Sequence, residues 1–299
     1  MLAKKIDIHS HVTMWPDTTP PLKQTGQTYL RMEDQLRLWD EINVQHGVLL
    51  PVISSEAQWM TISSEACHWL ASQDPKRFSW FCNVDPRAGT NTPDADLSHI
   101  IEFYKNLGAK GVGELTSNLY ADDPKMDNLF YHCAACEMPV LFHVAPKPEG
   151  YYGIVDDPGL PRIEKMLKKH PNLKLIGHST AFWSEIGQCK PEERQKYVKG
   201  KVVEGRVPKL MREYGNLYCD LSAGSGSNAM MRDPEYAASF LTEFADRIYF
   251  GCDMCTNHST YQVDFSNFLQ ELADTGAISQ DVYRKICWDN AAKLLGLQD

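Results

Sequence analysis

The sequence has no apolar run long enough to cross a bilayer, since nothing in its 299 residues approaches the roughly 18 consecutive apolar residues a spanning helix needs. A secretory h-region is missing too: Asp7 and His9 interrupt the first apolar stretch, behind Lys4 and Lys5. Excess positive charge is also absent. With 30 basic and 39 acidic residues the formal charge is −9, which argues against a nucleic-acid or anionic-membrane surface. No Pro/Gly/Ser-rich linker or shift in composition divides the chain, so residues 1–299 are expected to form one domain. The nine cysteines are an odd number. Together with the missing signal, this points to reduced thiols and a cytoplasmic location. The pairs Cys133–Cys136 and Cys252–Cys255 have zinc-ribbon spacing, but they lie more than a hundred residues apart and the first falls in a helical pattern. Buried free thiols are the expectation.

Hydrophobic residues make up 43% of the chain, enough for a sizeable core. Short apolar strands alternate with longer helical patterns: KKIDIH, HGVLLPV, FSWFCNV, AKGVGEL, MPVLFHV, LKLIGHS, GNLYCDL and RIYFGCD. Helix candidates fall at 33–43, 61–73, 94–107, 127–137, 159–169, 206–214 and 234–245, with more helix over 264–297. Eight strand–helix units predict an α/β fold, a single (β/α)8 TIM barrel. A doubly wound open sheet normally has fewer strands. Two long loops, 12–32 and 179–205, are expected on the face that carries the substrate pocket.

In such a barrel the chemistry sits at the C-terminal ends of the strands. Residues 4–12, KKIDIHSHV, put His9 and His11 there. Strand periodicity gives Ile6 and Ile8 one face, and Asp7, His9 and His11 the other. Two imidazoles about 7 Å apart along a strand can converge on one ion. Glu114 ends the fourth strand, beside Gly111 and Gly113, whose face is expected to admit close helix packing. His143 ends the fifth, His178 the sixth and Asp253 the eighth. Six metal-competent side chains thus share one layer. Asp7 is expected to orient a neighbour. His46, His68, His99, His132 and His170 fall at strand starts or in helices and are read as structural or solvated.

This constellation resembles the metal site of the amidohydrolase superfamily: HxH on the first strand, an acidic residue or carboxylated lysine on the fourth, His on the fifth and sixth, Asp on the eighth. The chain looks like the amidohydrolase-related branch, which includes aminocarboxymuconate-semialdehyde decarboxylase and lactone hydrolases, and its WDNAAKLLGL resembles that branch's closing helix. The resemblance implies one or two divalent ions, zinc first, with manganese or another ion as alternatives. His9, His11 and Asp253 would hold one ion, completed by His143, or His143 and His178 would hold a second. Glu114 stands where a bridging ligand would be and is similar to the strand-four glutamate of TatD-like hydrolases, departing from the mononuclear decarboxylases. The implied activity is hydrolysis of a small-molecule amide, ester or lactone by metal-activated water, with Asp253 carrying the proton and His178, if not a ligand, polarising the carbonyl. The alternative is a metal-dependent non-oxidative decarboxylase, a lyase acting on a small carboxylic acid. A third reading, binding without catalysis, leaves Asp253 without a role.

Loop residues suggest the substrate contacts. Trp15, Tyr151, Tyr152 and Trp183 could form an aromatic wall, and Lys147 and Arg206 could meet an anionic group. SAGSGSN, residues 222–228, follows the seventh strand and reads as a flexible turn or an anion site without the GK[ST] of a P-loop. A small-molecule substrate is expected, with no nucleic-acid or membrane partner, and a homo-oligomer is compatible with the sequence.

Overall fold

The computed structural model describes residues 3–21, 26–56, 61–255 and 261–297. Residues 22–25 of the first long loop therefore lie outside the described residues. Eight parallel strands run in order: β1 (Lys5–Ser10), β2 (Val44–Leu49), β3 (Phe78–Trp80), β4 (Val112–Leu115), β5 (Val140–Ala145), β6 (Leu175–His178), β7 (Leu217–Asp220) and β8 (Ile248–Tyr249). They form two sheets, β1–β3 and β4–β8, with every pairing parallel. Backbone bonds join the sheets at both seams. Gly113 N–H donates to Cys82 O (2.8 Å) across one, and Ile8 N–H to Phe250 O (3.0 Å) across the other. This is the (β/α)8 arrangement. A two-residue strand, Ile154–Val155, pairs with the edge of β5.

Every expected helix is present, shifted by a few residues at its ends. Side-chain caps explain several starts. Ser63 accepts from Ala66 N–H ahead of the helix Ser64–Gln73. Asp123 and Asp233 cap helices that each begin with proline. The tail 264–297 is not one helix. It divides into Tyr261–Asp274, Gln280–Arg284, a wide π turn at Lys285–Asp289, and Asn290–Leu295, closed by left-handed Gly296. The stretch read as a flexible turn is also different: Ala223–Met231 is a nine-residue helix. Among the described residues no helix is long and apolar enough to cross a membrane.

The apolar core falls into two clusters. One, with Ile6, Ile8, Val48, Leu50, Phe81, Leu141, Ile176 and Tyr249, fills the barrel interior. The larger one packs the strands' outer faces against the helices. The first strand departs from simple alternation here. Ile6 and Ile8 point inward and Asp7 points outward to Trp39, yet His9 and His11 also point inward. Between Asp7 and Ser10 the register against β2 slips by one residue, because Asp7 pairs with Gly47 and Ser10 with Leu49. This bulge brings the histidines onto the inner face, so Asp7 and His9 do not share one. The β4 glycines also differ from expectation. A side chain at Gly111 would meet the Phe81 ring, and one at Gly113 the Leu141 backbone, so their space admits a neighbouring strand rather than a helix.

Asp7 ties this corner together. It accepts hydrogen bonds from His9 N–H (2.9 Å), Cys252 N–H (2.8 Å) and Trp39 Nε1–H (2.8 Å). Burial raises its pKa to about 6 against the pull of these donors. Trp39 reaches it only because position 47 is glycine: a Cβ there would lie 2.2 Å from the indole. Trp39→Phe removes one donor from a buried carboxyl and should cost about 1–3 kcal/mol. Urea denaturation measures this, and an unchanged midpoint would dismiss the Trp39–Asp7 contact as a stabilising link.

Candidate metal centre

Above the apolar plug, the strand ends place His9, His11, Glu114, His143, His178 and Asp253 in one cluster. His9 Nε2 and His11 Nε2 lie 3.0 Å apart. Glu114 Oε2 is 3.8 Å and 3.5 Å from them, and Asp253 Oδ1 is 3.6 Å and 3.7 Å away. On the other side, His143 Nδ1 is 2.8 Å from Glu114 Oε1, and His178 Nε2 is 4.0 Å from the same oxygen and 3.6 Å from Asp253 Oδ2. Each carboxylate therefore turns one oxygen toward the His9–His11 pair and the other toward His178.

The outer nitrogens fix the tautomers. His11 Nδ1 lies 3.0 Å from Leu50 O, and a carbonyl only accepts, so this nitrogen carries the proton. His9 Nδ1 donates to Asp220 Oδ2 at 2.7 Å. His178 Nδ1 lies 3.2 Å from that same oxygen. Ser222 Oγ completes the group, at 2.8 Å from Asp220 Oδ2, 3.2 Å from His9 Nδ1 and 3.0 Å from His178 Nδ1. In the neutral rings of His9 and His11, the Nε2 lone pairs then face one another.

These residues fit a divalent cation. Facing lone pairs repel unless a positive charge sits between them, and two donors about 2.0–2.1 Å from one zinc lie roughly 3 Å apart. Among the described residues, Glu114, Asp220 and Asp253 pair with histidines and with no lysine or arginine. Buried carboxylates need a cation, and three overlapping groups could hold one: His9–His178–Asp253, His9–His11–Glu114 and Glu114–His143–His178.

Burial opposes charge on His9, Glu114, His143, His178 and Asp253, and the neighbours decide the balance. For His178 burial favours the neutral ring, but Asp220, Asp253 and Glu114 outweigh it and hold the pKa well above the usual value. His9 is raised in the same way, chiefly by Asp253 against burial and the nearby His178. Burial pushes Glu114 and Asp253 up, yet the surrounding imidazoles bring both below the ordinary carboxylate range. In His143 burial wins and the pKa falls.

The remaining candidates scatter. Tyr152 lies against His143, the two rings tilted and their centroids 4.4 Å apart. Trp15 is 62% exposed, and Lys147 lies over the partly exposed Tyr151 ring. Arg206 is occupied by Glu164 and by Gly159 O. Trp183 is buried, with its indole donating to Asp220 O (2.9 Å), so it braces the site from behind and lines no wall. All nine cysteines are free. Cys255 lies beside the centre, its thiol 3.3 Å from Asp253 Oδ1. His46 bonds Ser79 Oγ, and His170 bonds Asp127.

Sequence reasoning missed Asp220 and Ser222. Asp220 ends the seventh strand as the other site residues end theirs, so its position was the available signal. Asp220→Asn should keep the fold, by circular dichroism, and weaken zinc binding about 10–100-fold. Unchanged affinity in a chelator competition would remove its positioning role. The raised histidine pKa values add a pH dependence. Protons on His9 and His178 must leave before an ion binds, so zinc affinity should fall as pH drops, beginning above the ordinary histidine pKa of about 6.5. A titration flat from about pH 8 to 6 would contradict this.

Comparison with known proteins agrees with the architecture. The family model described as Amidohydrolase matches residues 6–297. No curated protein matches the sequence. Among solved structures, 5-carboxyvanillate decarboxylase from Sphingomonas paucimobilis is 16% identical, with a TM-score of 0.64 over 100% of both chains. A probable 2-pyrone-4,6-dicarboxylic acid hydrolase from Acinetobacter baumannii, with citric acid bound, is 13% identical, with a TM-score of 0.59 over 98% of this chain and 99% of that one. A zinc-bound amidohydrolase from Burkholderia multivorans is 14% identical, with a TM-score of 0.63 over 99% and 100%. At these identities the structures speak for the fold. The family match covers nearly the whole sequence, and the chain belongs to the amidohydrolase family, as an enzyme of the amidohydrolase superfamily.

Proposed function

We propose that the protein is a metal-dependent hydrolase of a small-molecule amide, ester or lactone. The observation that carries this is the straddling of the two carboxylates: Glu114 and Asp253 each face both halves of the histidine cluster. That arrangement suits two divalent ions, with His9 and His11 on one side, His143 and His178 on the other, and Glu114 between them. Zinc is the ion we assign, as in the Burkholderia multivorans structure. Bound there, it would lower the pKa of water toward about 7 and polarise the substrate carbonyl.

The chain's own residues supply the rest. Asp253, held below the ordinary carboxylate range, is ionised at neutral pH and takes the proton from the attacking water. Its Oδ2 faces His178, so the proton stays within reach of the leaving group. Tyr152, its ring tilted against that of His143, closes one side of the space above.

The test couples metal analysis to a screen of lactones, esters and amides alongside aromatic carboxylic acids. Asp253→Asn should retain metal and lose about 10²–10⁴-fold in turnover. Glu114→Gln should drop the content from two ions toward one. Wild-type protein that holds a single ion, keeps it in Glu114→Gln and releases carbon dioxide from a carboxylic acid would replace the hydrolase with a decarboxylase.

A further inference from the structure

Strands β4 and β5 bring Glu114 and His143 to the metal-competent cluster from one sheet, while His9 and His11 come from the end of β1 in the other. Distances across the cluster therefore depend on the seam between β3 and β4. Asn83, just past the end of β3, sits in that seam and is 4% exposed. Its amide nitrogen donates to Glu114 O at 2.6 Å and to Pro51 O at 3.2 Å. Two carbonyl neighbours fix the orientation of the amide, because only its NH2 end can face them. The other end, Oδ1, is buried and has no hydrogen-bond partner among the described residues. The side chain thus commits both donors to the seam and leaves its acceptor stranded, an arrangement that costs stability.

Both carbonyls lie next to a ligand. Val112 of β4 pairs with Val140 of β5, but Leu115 pairs with Phe142, so β4 advances three residues against two. This irregularity falls at Gly113–Glu114, where a bulge disrupts the ladder and re-aims a side chain. Asn83 holds the backbone of Glu114 at that point. On its other side, Pro51 follows Leu50, whose carbonyl accepts from His11 Nδ1 (3.0 Å). One amide therefore ties the segment that orients His11 to the bulge that presents Glu114. Glu114 Oε2 and His11 Nε2 lie 3.5 Å apart, close to the roughly 3.3 Å between two tetrahedral ligands of one zinc ion. Asn83 is itself anchored, since its N–H donates to Ser64 Oγ at 3.0 Å.

We propose that Asn83 is a positioning residue that sets the spacing between Glu114 and His11, and with it the affinity of the centre for its ion. It acts through Glu114 and touches neither metal nor substrate. This role rests on Glu114 ligating metal, as proposed above, and on no particular reaction.

Zinc affinity, read by chelator competition, tests this without turnover. Asn83→Ala should bind zinc at least about tenfold more weakly, a loss of about 1.4 kcal/mol, with the circular dichroism of the wild type. A general loosening of the barrel would add to any other substitution, whereas an effect exerted through Glu114 does not. In Glu114→Ala protein, Asn83→Ala should therefore cost no further affinity. The visible spectrum of the cobalt(II)-loaded protein gives a second readout, expected to move in Asn83→Ala toward that of Glu114→Ala. Wild-type affinity in Asn83→Ala, or the same loss with and without Glu114, would overturn the proposal while Glu114→Ala alone still weakens binding. If Glu114→Ala binds zinc as the wild type does, the bridging role of Glu114 falls and this one with it, so the two failures are told apart. Should Asn83→Ala fail to fold, the isosteric Asn83→Asp, which exchanges the donors for an oxygen, takes its place with the same expected loss and the same dependence on Glu114.

Discussion

The metal-competent site depends on one buried carboxylate. Asp220 has no access to water, and its neighbours His9 and His178 hold it ionised against the strong push of burial. By engaging the outer nitrogens of two imidazoles, it turns their inner nitrogens toward the same point. Without that anchor each ring could rotate about its side-chain bonds, and rotamer freedom would have to be lost on metal binding instead. Ser222 and the Trp183 indole hold Asp220 and its backbone in turn, so the support extends from β1 through β6 and β7 into the helices behind.

This arrangement sets the sign of the electrostatics. Three carboxylates sit among four histidines in a space closed to lysine and arginine, among the described residues. Left alone, such a cluster gathers protons, and the raised pKa values of His9 and His178 record this. A divalent ion satisfies the same need with a fixed charge. Protons and metal compete for one set of lone pairs, and a family of metal enzymes resolves the competition in favour of the metal.

Much of this was legible in the sequence. The strand order, the barrel and the six residues at strand ends follow from alternating patterns and from the position of polar residues after apolar runs. What escaped reading depended on contacts between distant segments. The bulge at Ile8–His9 comes from pairing with β2 and from the triple hydrogen bonding of Asp7, so period-two reasoning put Asp7 on the wrong face. Asp220 looked like the end of another strand, because its partners are more than forty residues away in the chain. SAGSGSN reads as a turn by composition, yet it is a helix whose small residues admit Tyr197 at Gly224 and the Leu221 backbone at Gly226.

The apolar plug has a consequence for proton traffic. Ile8, Phe81, Leu141 and Ile176 seal the barrel beneath the cluster, leaving a floor without a drain. A low-permittivity layer of hydrocarbon offers a proton no carrier, so exchange with solvent must run through the mouth. Of the three carboxylates only Asp253 has appreciable access there, its side chain 18% exposed against 6% for Glu114 and none for Asp220. The acid best placed to lose a proton to bulk water is thus decided by the floor as much as by the rim.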